Sequence, residues 1–450
     1  MDYVRKLITE RRATAGPAAY EPLEDVEAEI TDREHARPWS RFSRLEYGIF
    51  LLLGVAMLWS WNMFLAAAPY FYSRFQSNDW IATHYQSSIL SVSTVTNLGT
   101  VYTLAKIQKN VSYTRRITIS LVIYCIVFTL LALSTLLKDA SVRAYFAFLM
   151  VMVFGASLAT GIIQNGVFAF VSGFGREEYT QAIMAGQGVA GVLPCLVQIA
   201  SVLAVPRKAS SDQDQYMQGS SPKSAFIYFI TATGVSVVTL LAFFYLIKTR
   251  ASPQLKSSNE NENESLMDGA HSKSISLWSL FNKLRYLSCS VALCFTITMM
   301  SFPVYTAEIL SVNNPEKSRM YDAPVFIPLA FLVWNLGDFL GRMAVAIPRL
   351  SLAHRPWFAL VFSIARVGFI PLYLLCNING RGAAVQSDLF YLFVVQFLFG
   401  ASNGFLASSC MMGATYWVSA EERHAAGGFM SMMLVGGLTA GSLLSFLMSR

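Results

Sequence analysis

The run WNLGDFLGR at residues 334–342 lies within an apolar segment, residues 324–348, that is long enough to cross a bilayer. With about 100° of rotation per helical residue, Asn335, Asp338 and Arg342 fall within roughly 60° of one another on one face. A carboxylate or a guanidinium inside a span costs on the order of 3 kcal/mol. Because a pair without a role would cost less as two apolar residues, we infer that both groups serve a polar solute in a water-filled cavity. The plainer interpretation is an ion pair that only neutralises itself.

Glycines in two spans predict close packing of helices. Gly337 and Gly341 point away from the polar face, where small residues let a neighbouring helix approach. The run GQGVAG at residues 186–191 matches the dinucleotide-binding pattern, but apolar helical segments flank it instead of strands, so we reject that interpretation. These glycines indicate close packing or a thin wall beside a cavity. Gln187 among them can pair with the edge of a base or with a neighbouring helix.

The composition is that of a membrane protein. The 450 residues are 54% hydrophobic and only 14% charged, against about 25% charged residues in soluble domains. Apolar runs of the length needed to span a bilayer predict eleven transmembrane helices. The predicted spans are residues 45–69, 81–105, 117–137, 145–173, 181–205, 225–247, 286–310, 323–347, 357–376, 389–417 and 425–448.

The spacing of these spans predicts an all-α polytopic membrane protein with a major-facilitator-like 6+5 arrangement. We expect a cytosolic N-terminal tail (1–44), a six-helix transmembrane half (45–247), a cytosolic charged linker (248–285) and a five-helix transmembrane half (286–450). A charged linker between two helical halves is typical of transporters that rock one half against the other.

Charge in the loops predicts the orientation. Most of the 34 Lys and Arg residues lie on the side that holds the N-terminus, which places the N-terminus in the cytosol and the C-terminus outside the cell or in a lumen. Residues 1–44 lack an apolar core of signal-peptide type, so the first span is expected to direct insertion. The sequence YEPL at residues 20–23 fits an endosomal sorting pattern and favours a vacuolar or lysosomal-type membrane over the plasma membrane, although a chance match is simpler.

Several function classes are excluded by what the spans contain. The six cysteines show no Cys-x-x-Cys or Cys/His ligand spacing, so we predict neither a disulfide frame nor a metal site, and no cofactor. No span places a nucleophile and a base on one face, which argues against an enzyme. Basic residues are scattered over short loops, so nucleic acid is not an expected partner. The oligomeric state stays open.

Further polar residues at membrane depth have two interpretations each. Trp61 and Asn62 in the first span are candidate binding residues, since an indole beside an amide can form a stacking wall for a flat ligand; core filling is the alternative. The other amides can line a cavity or simply join helices. Arg366 has no obvious partner within its own span, and Asp338 or a network of carbonyls is its expected partner. The candidate cavity or gating residues are Gln164, Asn165, Arg366, Gln396 and Asn403.

Taken together, these motifs resemble the equilibrative nucleoside transporter family across nearly all spans. The similar segments are Trp61-Asn62 followed by Pro69-Tyr70-Phe71, the runs at 186–191 and 334–342, Arg366 with Pro371-Leu372, and Ser402-Asn403-Gly404. The N-terminal tail vaguely resembles that of intracellular fungal-type members. Ser60 stands where many members have proline, so this helix is expected to kink less.

The resemblance implies a site and a function. It places Trp61 against a nucleobase, Gln187 in a hydrogen bond with the base, and Asp338 and Arg342 on the ribose hydroxyls, with Asn335 nearby. It implies facilitative transport of nucleosides by alternating access within a lipid bilayer, with nucleobase transport left open. The alternative is a transporter of another polar metabolite, such as a sugar or an amino acid, on the same architecture.

Overall fold

A computed structural model describes residues 42–445 of the protein, apart from 108–111, 138–139, 205–221, 259–274, 315–317 and 348. The tail up to residue 41, with its YEPL motif, and most of the predicted linker therefore lie outside the described residues. The described residues from Leu45 onward form one compact unit.

The described chain is almost entirely helical. The α-helices are α1 (Arg44–Ala66), α2 (Ala68–Phe75), α3 (Asp79–Lys106), α4 (Tyr113–Ser134), α5 (Val142–Ser172), α6 (Glu177–Ala204), α7 (Pro222–Ser258), α8 (Leu277–Glu308), α9 (Ala323–Ala344), α10 (Pro356–Ala365), α11 (Phe369–Leu374), α12 (Leu398–Gly413) and α13 (Arg423–Ser445). A π-helix, Phe390–Phe397, leads into α12. Short 3-10 helices cover Arg319–Tyr321, Arg366–Gly368, Ala414–Trp417 and Ala420–Glu422. We call α1 to α7 the first half and α8 to α13 the second half.

Ten helical segments of the described chain are long and apolar enough to cross a membrane. The prediction of an all-α polytopic membrane protein is thereby confirmed. Helix α3 has the length of a span, but its many Ser and Thr residues lower its hydropathy and it is not among the ten. The count of eleven spans stays a prediction.

The helices around the predicted linker are longer than the apolar runs. Helix α7 continues to Ser258 and α8 begins at Leu277, so both extend into residues 248–285. An apolar run marks the part of a helix that lies within the bilayer. The helix itself can continue past the membrane edge, because its backbone hydrogen bonds do not depend on the side chains. The division into two halves joined by a linker stays a prediction.

Prolines shape the helices that carry the site. Helix α1 runs without a break through Ser60, as the missing proline predicts, and ends at Ala66, before Pro69. In the ninth predicted span, Pro371 cannot donate to the carbonyl of Val367. The chain there tightens into a 3-10 turn at Arg366–Gly368 between α10 and α11. Arg366 therefore lies at a turn of the backbone.

Glycines bring the backbones of α9 and α12 into contact. A Cβ atom on Gly337 would overlap the carbonyl oxygen of Phe397, and one on Gly341 would overlap that of Ala401. From the other side, Gly404 leaves room for the carbonyl of Asp338. The predicted close packing at Gly337 and Gly341 is confirmed.

Glycines of α6 allow similar close packing, against α1 within the first half and against α9 of the second half. A Cβ on Gly186 would overlap the carbonyl of Leu51 in α1, and one on Gly188 would press on Phe339 in α9. Gly191 faces the side-chain amide of Asn335. The GQGVAG run is therefore a packing surface on which α1 and α9 both rest.

We predict that Gly337→Ala destabilises the protein by about 1–3 kcal/mol, because the added methyl group has to displace the backbone of α12. The matched control is Gly234→Ala in α7, where the added Cβ meets no atom within 4 Å. That control is expected to be neutral or to stabilise by up to about 1 kcal/mol through helix propensity. Thermal unfolding in detergent measures both; equal unfolding temperatures for the two variants would contradict the packing described here.

Candidate functional site

The ion pair predicted from the sequence forms within one turn of α9. Arg342 Nε donates to Asp338 Oδ2 at 2.7 Å, and each residue is only 4% exposed. A pair four residues apart on a helix meets without distortion of the backbone. The pair therefore lies inside the helical bundle.

Arg342 also bonds across the two halves. Its Nη1 group donates to Gln187 Oε1 at 3.0 Å and to the carbonyl oxygen of Met184 at 3.1 Å, both on α6. Gln187 in turn points its Nε2 group to the sulfur of Met57 in α1, at 3.9 Å. Among the described residues, Arg342 Nη2 donates to no atom. The guanidinium thus links the two halves, and its Nη2 group stays available as a hydrogen-bond donor.

Asp338 receives a second donor from α12. Asn403 Nδ2 donates to Asp338 Oδ1 at 2.7 Å, so both carboxylate oxygens accept a hydrogen bond. Hydrogen bonds to an ionised acceptor are about twice as strong as neutral ones. Asn403, a candidate from the sequence, is therefore part of the same cluster as Asp338.

Arg366 is completely buried, and among the described residues its guanidinium donates only to the second half. Nη1 donates to the carbonyl of Cys294 at 2.7 Å, Nη2 to Thr298 Oγ1 at 2.9 Å, and Nε to Ser402 Oγ at 2.9 Å. The group also stacks on the ring of Phe399, 4.5 Å from its centroid. The partners that the sequence left open are thus hydroxyls and carbonyls of neighbouring helices.

Thr298 connects the two arginine clusters. Its hydroxyl donates to Asn403 Oδ1 at 2.8 Å while it accepts from Arg366. The sequence analysis did not select this residue. Most Ser and Thr side chains in spans bond to their own helix, so the residue type alone does not single out Thr298.

Asn62 and Asn335 both contact α6. Asn62 Nδ2 donates to the carbonyl of Ala190 at 2.6 Å. Asn335 Nδ2 donates to the carbonyl of Phe331, within its own helix, at 2.8 Å and lies 3.6 Å from Cys195 Sγ. Trp61 is half-buried and packs against the main hydrophobic core, to which both halves contribute.

Gln396 belongs to a separate cluster in the second half. Its Oε1 accepts from Tyr373 at 3.0 Å, and its Nε2 donates to Thr306 at 2.8 Å and to Tyr391 at 2.7 Å. These bonds use the amide fully within one half, which fits the interpretation as a link between helices.

The two amides of α5 differ from each other. Asn165 accepts from Arg116 of α4 at 2.6 Å, a bond within the first half. Gln164 is 7% exposed, and in the described part of the chain its amide makes no hydrogen bond. Of these two candidates, Gln164 is the one with an amide available to a ligand.

We predict that Asp338→Leu costs about 3–5 kcal/mol of stability, because it leaves Arg342 buried without its counter-charge. The double variant Asp338→Leu/Arg342→Leu is expected to recover most of that loss, since the pair is removed as a unit. Unfolding temperatures of Asp338→Leu, Arg342→Leu, the double variant and the parent form a double-mutant cycle. Strictly additive losses would show that the two side chains do not stabilise each other.

Sequence comparison places relatives along most of the chain. The nucleoside transporter FUN26 of Saccharomyces cerevisiae is 29% identical, over 90% of this chain and 84% of its own length. Equilibrative nucleoside transporter 1 of Rattus norvegicus is 29% identical, over 89% of this chain and 96% of its own length.

Solved structures share the fold. The Major Facilitator Superfamily transporter FucP, solved in its outward conformation, aligns with a TM-score of 0.54 at 13% identity, covering 92% of each chain. The predicted major-facilitator-like arrangement is therefore confirmed. The profile of the family described as Nucleoside transporter matches residues 149–450. Because that match covers more than half of this chain, the chain belongs to the nucleoside transporter family.

Proposed function

We propose that the protein is a facilitative transporter of nucleosides that works by alternating access. The observation that carries the proposal is the position of Arg342, whose guanidinium bonds to Asp338 within the second half and to Gln187 of the first half. A solute that engages this group is in contact with both halves at once. Transport of this kind needs no covalent chemistry and no cofactor.

The cluster has the chemistry that a nucleoside requires. A ribose presents vicinal hydroxyls, which can donate to the Asp338 carboxylate and accept from the unused Nη2 donors of Arg342. A base presents hydrogen-bonding edges to the amide of Gln187 and a flat face to an indole such as Trp61. Asn62 and Asn335 both contact α6 and add two further amides near this cluster. A nucleobase without a ribose can use the same amide and indole.

Contacts between the halves support alternating access. Near the end of α5 and the start of α13, His424 Nδ1 lies 2.8 Å from the carbonyl oxygen of Ala169. Gly427 leaves room there for the carbonyl of Phe168. Backbone contacts of this type are lost when two bundles rock apart, and the Arg342–Gln187 bond must then be replaced. A bound nucleoside offers that replacement.

The proposed orientation follows the charges at the helix ends. The end with the α5–α13 contact also holds Lys106, Arg115, Arg176 and Lys283, as expected for a cytosolic face. We therefore propose a cytosolic N-terminus and a C-terminus outside the cell or in a lumen. A vacuolar or lysosomal-type membrane and the plasma membrane both suit this orientation.

The first test is uptake by purified protein in liposomes. We expect saturable uptake of radiolabelled uridine and adenosine, competed by unlabelled nucleosides and not by hexoses or amino acids. Empty liposomes provide the background. Folded protein that gives only background uptake of every nucleoside would contradict the proposal, and competition by a hexose would favour the alternative substrate class.

We further predict that Arg342→Ala lowers nucleoside uptake by at least about tenfold, the loss expected when hydrogen bonds from a charged group to a solute disappear. The control is Arg285→Ala, which removes an exposed guanidinium at the start of α8 and is expected to keep parental uptake. Surface expression of both variants is measured alongside. Parental uptake by Arg342→Ala would remove this residue from the proposed site.

A further inference from the structure

The side chain of His424, in the first turn of α13, contacts two helices of the first half. Its Nδ1 atom lies 2.8 Å from the carbonyl oxygen of Ala169 in α5. A carbonyl oxygen can only accept, so Nδ1 carries the hydrogen and donates it. The imidazole ring stacks on Tyr113 of α4, with ring centroids 5.2 Å apart and an angle of 16° between the planes. His424 thus makes a hydrogen bond and an aromatic contact, both across the halves.

Gly173, directly after α5, makes room for this ring. A Cβ atom at Gly173 would overlap the imidazole of His424. The backbone of Gly173 has φ −65° and ψ −22°, a helical conformation that other residues adopt without strain. What glycine supplies at this position is therefore space for the ring.

A second side chain of α13 enters the same turn. A Cβ atom at Gly175 would overlap Nη1 of Arg423, the residue that precedes His424. Gly175 has a φ of +65°, in the left-handed region that favours glycine. The turn at residues 173–175 therefore receives two consecutive side chains from the second half.

The contact between α5 and α13 continues along both helices. Gly427 leaves room for the carbonyl of Phe168, and a Cβ atom at Gly428 would lie 3.0 Å from Asn165 Nδ2. Asn165 accepts a hydrogen bond from Arg116 of its own half at 2.6 Å, which holds its amide in place. The start of α13 is thus fitted to about the last two turns of α5.

We infer that His424 and the turn at residues 173–175 form a latch, which holds the two halves together at the end where α5 meets α13. The latch favours the conformation that is closed at this end over the one that is open there. The inference rests on the proposed function in one respect, because alternating access gives the open conformation its role. The hydrogen on Nδ1 is present in a neutral tautomer as well as in the charged ring, so the latch does not depend on a proton that His424 gains or loses.

The contacts of the latch are lost together when this end opens, because His424 lies in the second half and its partners lie in the first. A net hydrogen bond and an aromatic pair together change an equilibrium by about tenfold. Opening also takes a donor away from the carbonyl of Ala169, which lies in the last turn of α5, where carbonyl oxygens lack partners further along the helix. His424 is therefore expected to act on the balance between the two conformations.

A distance across the halves measures this balance. Lys248→Cys near the end of α7 and Arg355→Cys before α10 place one spin label on each half, at exposed positions of the same end that do not belong to the latch. The partly exposed cysteines, Cys125, Cys195 and Cys289, are replaced by alanine in all variants. Pulsed electron paramagnetic resonance then gives the distances between the labels in purified protein, without any nucleoside.

Two variants weaken the latch in different ways. His424→Ala removes the ring, and Gly173→Ala places a methyl group where the ring lies. Each is expected to raise the ratio of long to short distances by about tenfold. The matched control is Gly48→Ala in α1, near the same end, where the added Cβ meets no atom within 4 Å and the parental ratio is expected. In the His424→Ala background, Gly173→Ala is expected to add nothing, because the methyl group then has no ring to displace.

Amide hydrogen exchange extends the test to small open populations. Exchange of the amides at residues 165–173 is expected to be about tenfold faster in His424→Ala than in the parent, since it follows the share of open molecules. Unchanged distances and unchanged exchange in both His424→Ala and Gly173→Ala would overturn the inference. So would an equal effect of Gly173→Ala with and without the ring of His424, because the methyl group would then act elsewhere.

The proposed function can fail separately from the latch. If the distances respond to His424→Ala while the parent in liposomes takes up uridine only at background level, the latch stands and nucleoside transport does not. If the parent transports uridine while neither variant alters distances or exchange, transport stands and the latch does not.

Discussion

The carboxylate of Asp338 is buried at the contact between the two halves, and the rest of the site is arranged around it. Arg342 and Asn403 each donate to one of its oxygens, and Arg342 extends the cluster to Gln187 on α6. An ionised carboxylate at this depth is tolerated only when its acceptors are filled. The same requirement fixes the position of three helices, because α9, α12 and α6 must each bring a side chain to within hydrogen-bond distance.

Glycines make that approach possible. Gly404 leaves the space in which the backbone of α12 passes beside the carbonyl of Asp338, and Gly188 lets α6 lie against Phe339. With larger residues at these positions the helices would be held apart, and the polar side chains could not span the distance. The hydrogen bonds of the charged residues therefore depend on the small residues of the same helices. Because the helices pack closely, polar side chains of neighbouring helices can reach the charged groups, which would otherwise be unpaired within the bilayer.

Much of this arrangement follows from the sequence. The spacing of Asn335, Asp338 and Arg342 predicts a polar face, and the glycines on the opposite face predict the contact with α12. The sequence could not tell that Asn403 would join this cluster while Gln396 would join another, since both are amides on the same predicted span. That outcome depends on which neighbouring helix supplies a partner, Thr298 for one and Tyr373 for the other. The spacing of polar residues along one helix does not show how the neighbouring helix is rotated about its own axis.

A transporter with such a cluster has to exchange partners without leaving a buried charge alone. Opening the contact between α6 and α9 takes Gln187 and the carbonyl of Met184 away from Arg342, while Asp338 and Asn403 move with the guanidinium because they belong to the second half. The charge is thus never unpaired, and only neutral partners are given up. A sugar hydroxyl that replaces a neutral amide makes a hydrogen bond of similar strength, with a net contribution of about 1 kcal/mol. In the proposed transport cycle, the hydrogen bonds that are exchanged are therefore those of the neutral partners.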